Sequence, residues 1–198
     1  MKKVLCCLLV ALMPLTGISQ ETKTLLSYLN SAEISGFGGF NLGIHAIDGS
    51  LSPSFGGGGA MLIDRKFWIG GFGEGLDVNK NYTYLTNDGE RVIELDMGYG
   101  GLWTGFKIKP GEVIHPQLDL KLGWGGVSAD DANNGREYLS SSIFVFIPSA
   151  GVEVNITRVF RVQLMAGYRS ISGSDIEFAN SEDLSGFVGN FGFVFGWF

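Results

Sequence analysis

The stretch Leu184 to Phe198, LSGFVGNFGFVFGWF, constrains the fold more than any other part of the chain. Taken at every second residue it separates into Phe187, Gly189, Phe191, Phe193, Phe195 and Trp197 against Val188, Asn190, Gly192, Val194 and Gly196. Aromatic and β-branched residues with period two specify a strand. In water, an edge strand with one almost wholly aromatic face is a template for aggregation. In lipid the same face is correctly placed, but a strand spans hydrocarbon only when every backbone N–H and C=O is paired inside a closed barrel. The stretch therefore demands partners of its own kind upstream.

A length of 198 residues leaves room for one domain and a leader. The chain has 31 Gly, 13% aromatic and 17% charged residues, which fits neither a disordered chain nor an average soluble domain. Its net charge of −6 argues against a nucleic-acid partner. Lys2 and Lys3, the apolar run Val4 to Leu15, and the small residues Gly17 and Ser19 have the layout of a secretory signal peptide over 1–19. Its apolar core is too short to cross a bilayer as a helix. Cys6 and Cys7, the two cysteines of the sequence, lie in that core, so the exported chain is expected to have no disulfide and no thiolate metal site. Residues 20–33 are mixed in pattern and are assigned to a periplasmic N-terminal segment, and 34–198 to the barrel.

Seven further strands are expected upstream. The first, Ile34 to Ala46, sets Phe40, Leu42 and Ile44 against Asn41, Gly43 and His45, and the second, Ser54 to Ile63, carries Phe55, Met61 and Ile63 on one face. The third, Phe67 to Val78, groups Trp68, Phe72, Leu76 and Val78, with Glu74 on the same parity. Either a bulge near Gly70-Gly71 shifts its register or Glu74 lies inside, because a charge facing lipid at mid-bilayer costs about 2–4 kcal/mol. The fourth, Val92 to Lys107, sets Ile93, Leu95, Met97 and Tyr99 against Glu94, Asp96 and Gly98, then switches to Leu102, Thr104 and Phe106, as a bulge at Gly100-Gly101 would produce. The fifth, Gln117 to Val127, alternates most clearly: Leu118, Leu120, Leu122 and Trp124 oppose Gln117, Asp119, Lys121 and Gly123. The sixth runs from Ser141 to Asn155, with Pro148 acceptable only at a bulge or an unpaired position. In the seventh, Val159 to Ser170, Phe160, Val162, Leu164 and Tyr168 oppose Arg161, Gln163 and Arg169. Asn79 to Arg91, Ser128 to Leu139 and Ser172 to Asp183 read as longer polar loops.

The pattern is that of an all-β, closed, antiparallel up-and-down transmembrane barrel of about eight strands; ten, with Gln20 to Glu33 contributing, is the alternative. Short turns alternating with long polar loops put both chain ends in the periplasm. Trp68, Phe106, Phe160 and Trp197 are expected at the periplasmic rim, and Trp124, Phe144, Tyr168 and Phe187 at the outer rim. A soluble barrel would keep aromatics inside and charges outside, the reverse of the fifth and seventh strands.

With a signal peptide, about eight alternating strands and the ending Phe193-Val194-Phe195-Gly196-Trp197-Phe198, the chain resembles the small outer-membrane β-barrels of Gram-negative bacteria, of the OmpA transmembrane-domain and OmpX kind. The resemblance implies an outer-membrane location and a terminal Phe198 read by the barrel-assembly machinery. The chain departs from that pattern where the parity of Phe198 runs through Val194, Gly192 and Asn190 while the aromatic face belongs to Trp197.

Glu94, Asp96, Asp119, Lys121, Glu153, Arg161 and Arg169 are expected to face inward, with Gln117, Gln163 and Asn155 between them. An eight-stranded barrel is just wide enough for side chains to fill, so these charges would pair in a network that plugs the lumen. A narrow pore for small solutes is the alternative reading. The resemblance also implies a lipid A acyltransferase or deacylase as a further alternative, with His45 beside Ser50 or Ser128, but no spacing motif supports catalysis. Gly70 to Gly75 continues a strand and does not open a helix as a dinucleotide loop must. Asp130-Asp131-Ala132-Asn133-Asn134-Gly135 departs from a calcium loop at Ala132 and at Ser141. The expected protein is not an enzyme, holds no cofactor and no metal, and has outer-membrane lipid, lipopolysaccharide and the assembly machinery as partners, with no nucleic acid.

Overall fold

A computed structural model describes residues 32–86, 89–131, 137–176 and 179–198. The segments 1–19 and 20–31, and with them the leader, lie outside the described residues. The strands are β1 (Ile34–Ile47), β2 (Ser50–Ile63), β3 (Phe67–Thr86), β4 (Gly89–Lys107), β5 (Ile114–Asp131), β6 (Glu137–Asn155), β7 (Phe160–Ser172), β8 (Asp175–Ile176), β9 (Ala179–Asn180) and β10 (Gly186–Gly196). Eight of them close into one antiparallel barrel in the order β1-β10-β7-β6-β5-β4-β3-β2, while β8 and β9 pair only with each other. The aromatic last strand seals the barrel against the first, from Phe37 opposite Gly196 to His45 opposite Val188.

The lower end holds the start of β1, the end of β10 and the connections 64–66, 108–113 and 156–159. The upper end holds the two-residue turn at Asp48-Gly49, the β3–β4 and β5–β6 hairpins, and the segment 173–185 that carries β8 and β9. Asp48 and Gly49 have φ of 44° and 74°, the paired left-handed conformation of a tight hairpin turn matched to strand twist. The hairpins are longer than alternation suggested. Much of Asn79 to Arg91 and of Ser128 to Leu139 is strand, with register shifts between Val78 and Tyr82 and between Ala129 and Asp130. Pro148 sits where the β6–β7 ladder lapses between Phe146 and Ser149, so its missing N–H costs no bond there.

On β5, β7 and β10 the apolar faces point outward. Leu118, Leu120, Leu122 and Trp124, then Val162, Leu164 and Tyr168, then Phe187, Phe191 and Phe195 line the outside. The outward residues of β5 from Ile114 to Gly126 carry no charge. At about 3.4 Å per residue and ordinary barrel tilt they cover about 30 Å along the axis, close to the apolar band of a membrane barrel.

On β3 and β4 the expected sidedness is reversed. Trp68, Leu76, Val78, Ile93, Leu95, Met97 and Tyr99 are buried inside the barrel, while Glu94 and Asp96 lie exposed on its outer surface. No bulge is needed at Gly70-Gly71 or Gly100-Gly101, since the β3–β4 register runs unbroken from Val78 opposite Leu95 to Phe67 opposite Phe106. For Leu76, Val78 and the β4 residues the physical reason is position along the axis, whereas Trp68, expected at the lower rim, turns inward onto the lower aromatic cluster. The upper parts of β3 and β4 stand beyond the apolar band, so their outer face is polar and their inner face forms a water-excluding core. That core gathers Ile47, Leu76, Val78, Leu95, Met97, Val127, Val145, Ile147, Ile171 and Val188 with Ile176 and Leu184 from 173–185. At the lower end a second apolar cluster joins Phe37, Leu62, Trp68, Trp103 and Val194, with Phe198 packed against it.

Candidate functional site

Between the two apolar clusters the lumen is polar, and two carboxylates organise it. Glu74 on β3 is buried in the upper group. His45 Nε2 lies 2.7 Å from its Oε1, the Ser54 hydroxyl donates to the same oxygen at 2.9 Å, and Lys121 Nζ reaches Oε2 at 3.2 Å. Arg169 Nη1 is 2.7 Å from His45 Nδ1, and its Nε and Nη2 donate to the Leu184 carbonyl at 3.2 and 2.8 Å. Arg169 therefore fastens the 173–185 segment over the upper mouth, helped by bonds from Ile171 N to the Ser185 hydroxyl and from Asp48 N to the Asp183 carbonyl.

Glu153 on β6 organises the lower group. It accepts from Lys107 at 2.7 and 2.9 Å, from Arg161 at 2.6 Å and from Gln163 at 2.7 Å, with His115 Nε2 at 3.1 Å. His115 Nδ1 faces the Glu112 carbonyl at 3.2 Å, and Asn155 Nδ2 donates to the carbonyls of Pro110 and Glu112, tying this group to the lower turn. Lys107 and Arg161 also lie over the Phe198 ring, at 5.0 and 3.7 Å from its centroid. Between the groups is a cavity of about 40 Å³ bordered by Asn41, Phe72, Trp103, Asp119, Lys121, Gln163, Met165 and Asn190. Asp119 takes a bond from Trp103 Nε1 at 3.1 Å through Oδ2.

Of the charges expected inside, Asp119, Lys121, Glu153, Arg161 and Arg169 are buried there. Glu94 and Asp96 are not: Asp96 stands opposite Asp77, and Glu94 opposite Asp130, on the outer face. Glu74, left open between lipid and lumen, proves to be the centre of the upper group. Lys107 had a readable signal, since it has the parity opposite to outward Phe106. His115 is drawn inside as the second residue of β5 and is fully buried.

The serine at His45 is Ser54, not Ser50 or Ser128. An arginine can only donate, so its contact leaves His45 Nδ1 as acceptor and the proton on Nε2. That nitrogen faces both Glu74 and Ser54 Oγ, the latter at 2.9 Å. A base must offer a lone pair to the hydroxyl it activates, and His45 offers a proton. The group is a buried polar network with a carboxylate at its centre, not a nucleophile with its base. Among the described residues no cluster of three or more His, Cys, Asp or Glu could hold a metal ion.

By shape, the chain is similar to Neisserial surface protein A, with a TM-score of 0.57 and 10% identity over 83% of this chain and 97% of that one. It is also similar to the N-terminal β-barrel domain of Pseudomonas aeruginosa OprF, with a TM-score of 0.50 and 11% identity over 83% and 97%. No family model matches the chain, and no curated protein matches its sequence. At these identities the likeness speaks for the fold, which is that of the small eight-stranded outer-membrane barrels.

Proposed function

We propose that the protein is a non-enzymatic integral outer-membrane barrel, closed along its axis, that carries a rim of water-soluble β-structure above the outer leaflet. There it meets surface partners or lipopolysaccharide and adds to the integrity of the envelope. The observation that carries this reading is the change of sidedness along β3 to β6, with oily outside and ionic inside below, acidic outside and oily inside above. The similarity to solved outer-membrane barrels supports the location. Among upper-end residues whose side chains are described, the exposed and half-exposed charges Asp48, Asp77, Glu94, Asp96, Asp130, Glu182 and Asp183 are acidic, and in sequence the two long hairpins add Lys80, Arg91 and Arg136 to a mostly acidic set. Such a rim favours a basic partner surface and repels phosphorylated headgroups unless divalent cations bridge them.

Closure rests on the apolar core and the fastened 173–185 segment above, and on Phe198 with Trp68 and Phe37 below. Planar-bilayer recordings of the refolded protein are expected to show no stable conductance; steady single-channel steps would favour the pore reading. Orientation is tested in cells, using single cysteines in the exported chain and a membrane-impermeant maleimide. Ser140→Cys is expected to label from outside on intact cells and Lys109→Cys only after the envelope is opened. The opposite labelling overturns the reading.

A further inference from the structure

We propose that the lower ionic group is a binding site for a small inorganic anion of the halide class, held on the Nε edge of Arg161 inside the barrel. Glu74 stands with Lys121 and Arg169 above, and Asp119 borders the cavity between the groups beside Lys121, so these four charges balance. The lower part is not balanced. Lys107 and Arg161 converge on Glu153 alone, an excess of one positive charge even with His115 counted as neutral. All three side chains are at most 5% exposed, and an uncompensated charge in such surroundings is strongly unfavourable. The acid on the adjoining turn, Glu112, is exposed and enters through its backbone carbonyl only.

The hydrogen bonds point the same way. Arg161 Nε and Trp68 Nε1 are buried without an acceptor, and a buried donor left unpaired costs about 1–3 kcal/mol. Both flank the same aromatic plug. Arg161 lies against the Phe198 ring, and Trp68 packs in the cluster that Phe198 joins, with Lys107 Nζ 5.7 Å from the Trp68 ring. Loss of a proton from Lys107 would cancel the excess charge, but its Nζ is engaged with the two Glu153 oxygens at 2.7 and 2.9 Å and makes no bond to Arg161 Nε or Trp68 Nε1. Water at Arg161 Nε would accept its proton and leave the charge, whereas a halide there supplies both an acceptor and the missing negative charge. The inference concerns the lumen alone and stands apart from the surface role proposed above.

The test is crystallographic and needs no variant. Crystals of the refolded protein grown with sodium bromide in place of chloride are expected to show an anomalous peak within hydrogen-bond reach of Arg161 Nε or Trp68 Nε1. Bromide found only on the surface, or nowhere, overturns the proposal. A second measurement compares thermal unfolding in vesicles with chloride and with gluconate at equal ionic strength. Chloride is expected to raise the midpoint by several degrees in the wild type and not in Arg161→Leu. A difference that survives in Arg161→Leu also overturns it.

Discussion

Arg169 and His45 meet across 2.7 Å, from Nη1 to Nδ1, and this one contact both sets the imidazole tautomer and joins the buried ionic column to the upper segment that carries Leu184. Arg169 is the hinge between the two because its other nitrogens hold the Leu184 carbonyl. Arg169→Leu removes three hydrogen bonds from a charged donor and is expected to destabilise the barrel by about 2–4 kcal/mol. Urea unfolding of the refolded protein measures the loss, and faster proteolysis within 173–185 is expected to accompany it.

Glu153 receives both lower cations, so Glu153→Gln leaves Lys107 and Arg161 facing each other inside the barrel. A broken buried pair costs about 3–5 kcal/mol, whereas replacing both partners by apolar groups is often close to neutral. The double variant Glu153→Gln with Lys107→Met is therefore expected to recover part of the stability lost in Glu153→Gln. A double-mutant cycle from unfolding midpoints tests this, and strict additivity would contradict the described pairing.

Asp96 stands directly opposite Asp77 on the outer surface, and like charges at paired strand positions destabilise. Asp96→Asn is expected to leave the barrel as stable or to stabilise it by about 0.2–1 kcal/mol. Had Asp96 pointed into the lumen network, the same change would have cost several times that.

Phe198 is expected to contribute to folded stability apart from any part in assembly. Its ring lies on Arg161 at 3.7 Å, and a desolvated cation–π contact is worth about 2 kcal/mol. Phe198→Ala is expected to lower the unfolding midpoint of protein refolded in detergent, where no assembly machinery is present. Poor insertion in cells combined with unchanged stability in detergent would assign Phe198 to recognition alone.

Two glycines, one on each face of the barrel, are expected to behave oppositely. A Cβ at outward Gly73 meets nothing within 4 Å, while one at inward Gly101 runs into the Leu122 carbonyl oxygen. Gly73→Ala is expected to be neutral or stabilising by about 0.5–1 kcal/mol, and Gly101→Ala destabilising, as heat-modifiable gel migration across a temperature series would report.

Period two made the strands legible, and on β5, β7 and β10 it also identified the lipid face, because those outer faces are oily along their whole membrane length. On β3 and β4 the same period separated two faces without saying which was inner. Gly71, Gly73 and Gly75 leave the outer face of β3 almost without side chains, so the oilier set, Trp68 to Val78, looks like the lipid face although it fills the lumen. Glu74 was the available clue, since its parity is theirs. On β4, Leu102 and Phe106 face lipid while Leu95 and Met97 face inward, and the unbroken ladder shows that water replaced oil outside rather than that the strand slipped. His45 shares the parity of Asn41 and Gly43, and His115 that of Gln117 and Asp119, but period two names no partners, and only strand pairing brings His45 to Glu74 and His115 to Glu153.

The crossing point marked by Trp124, Phe144, Tyr168 and Phe187 gives the barrel a waterline. Sinking by two outward residue pairs from the level of Trp124 would drag Asp96 and Ser128 into oil, and rising by one would bring Leu102 and Leu122 to the water's edge. Floating depth is thus written into the strands themselves, and so, in the proposed orientation, is the freeboard of the two long hairpins.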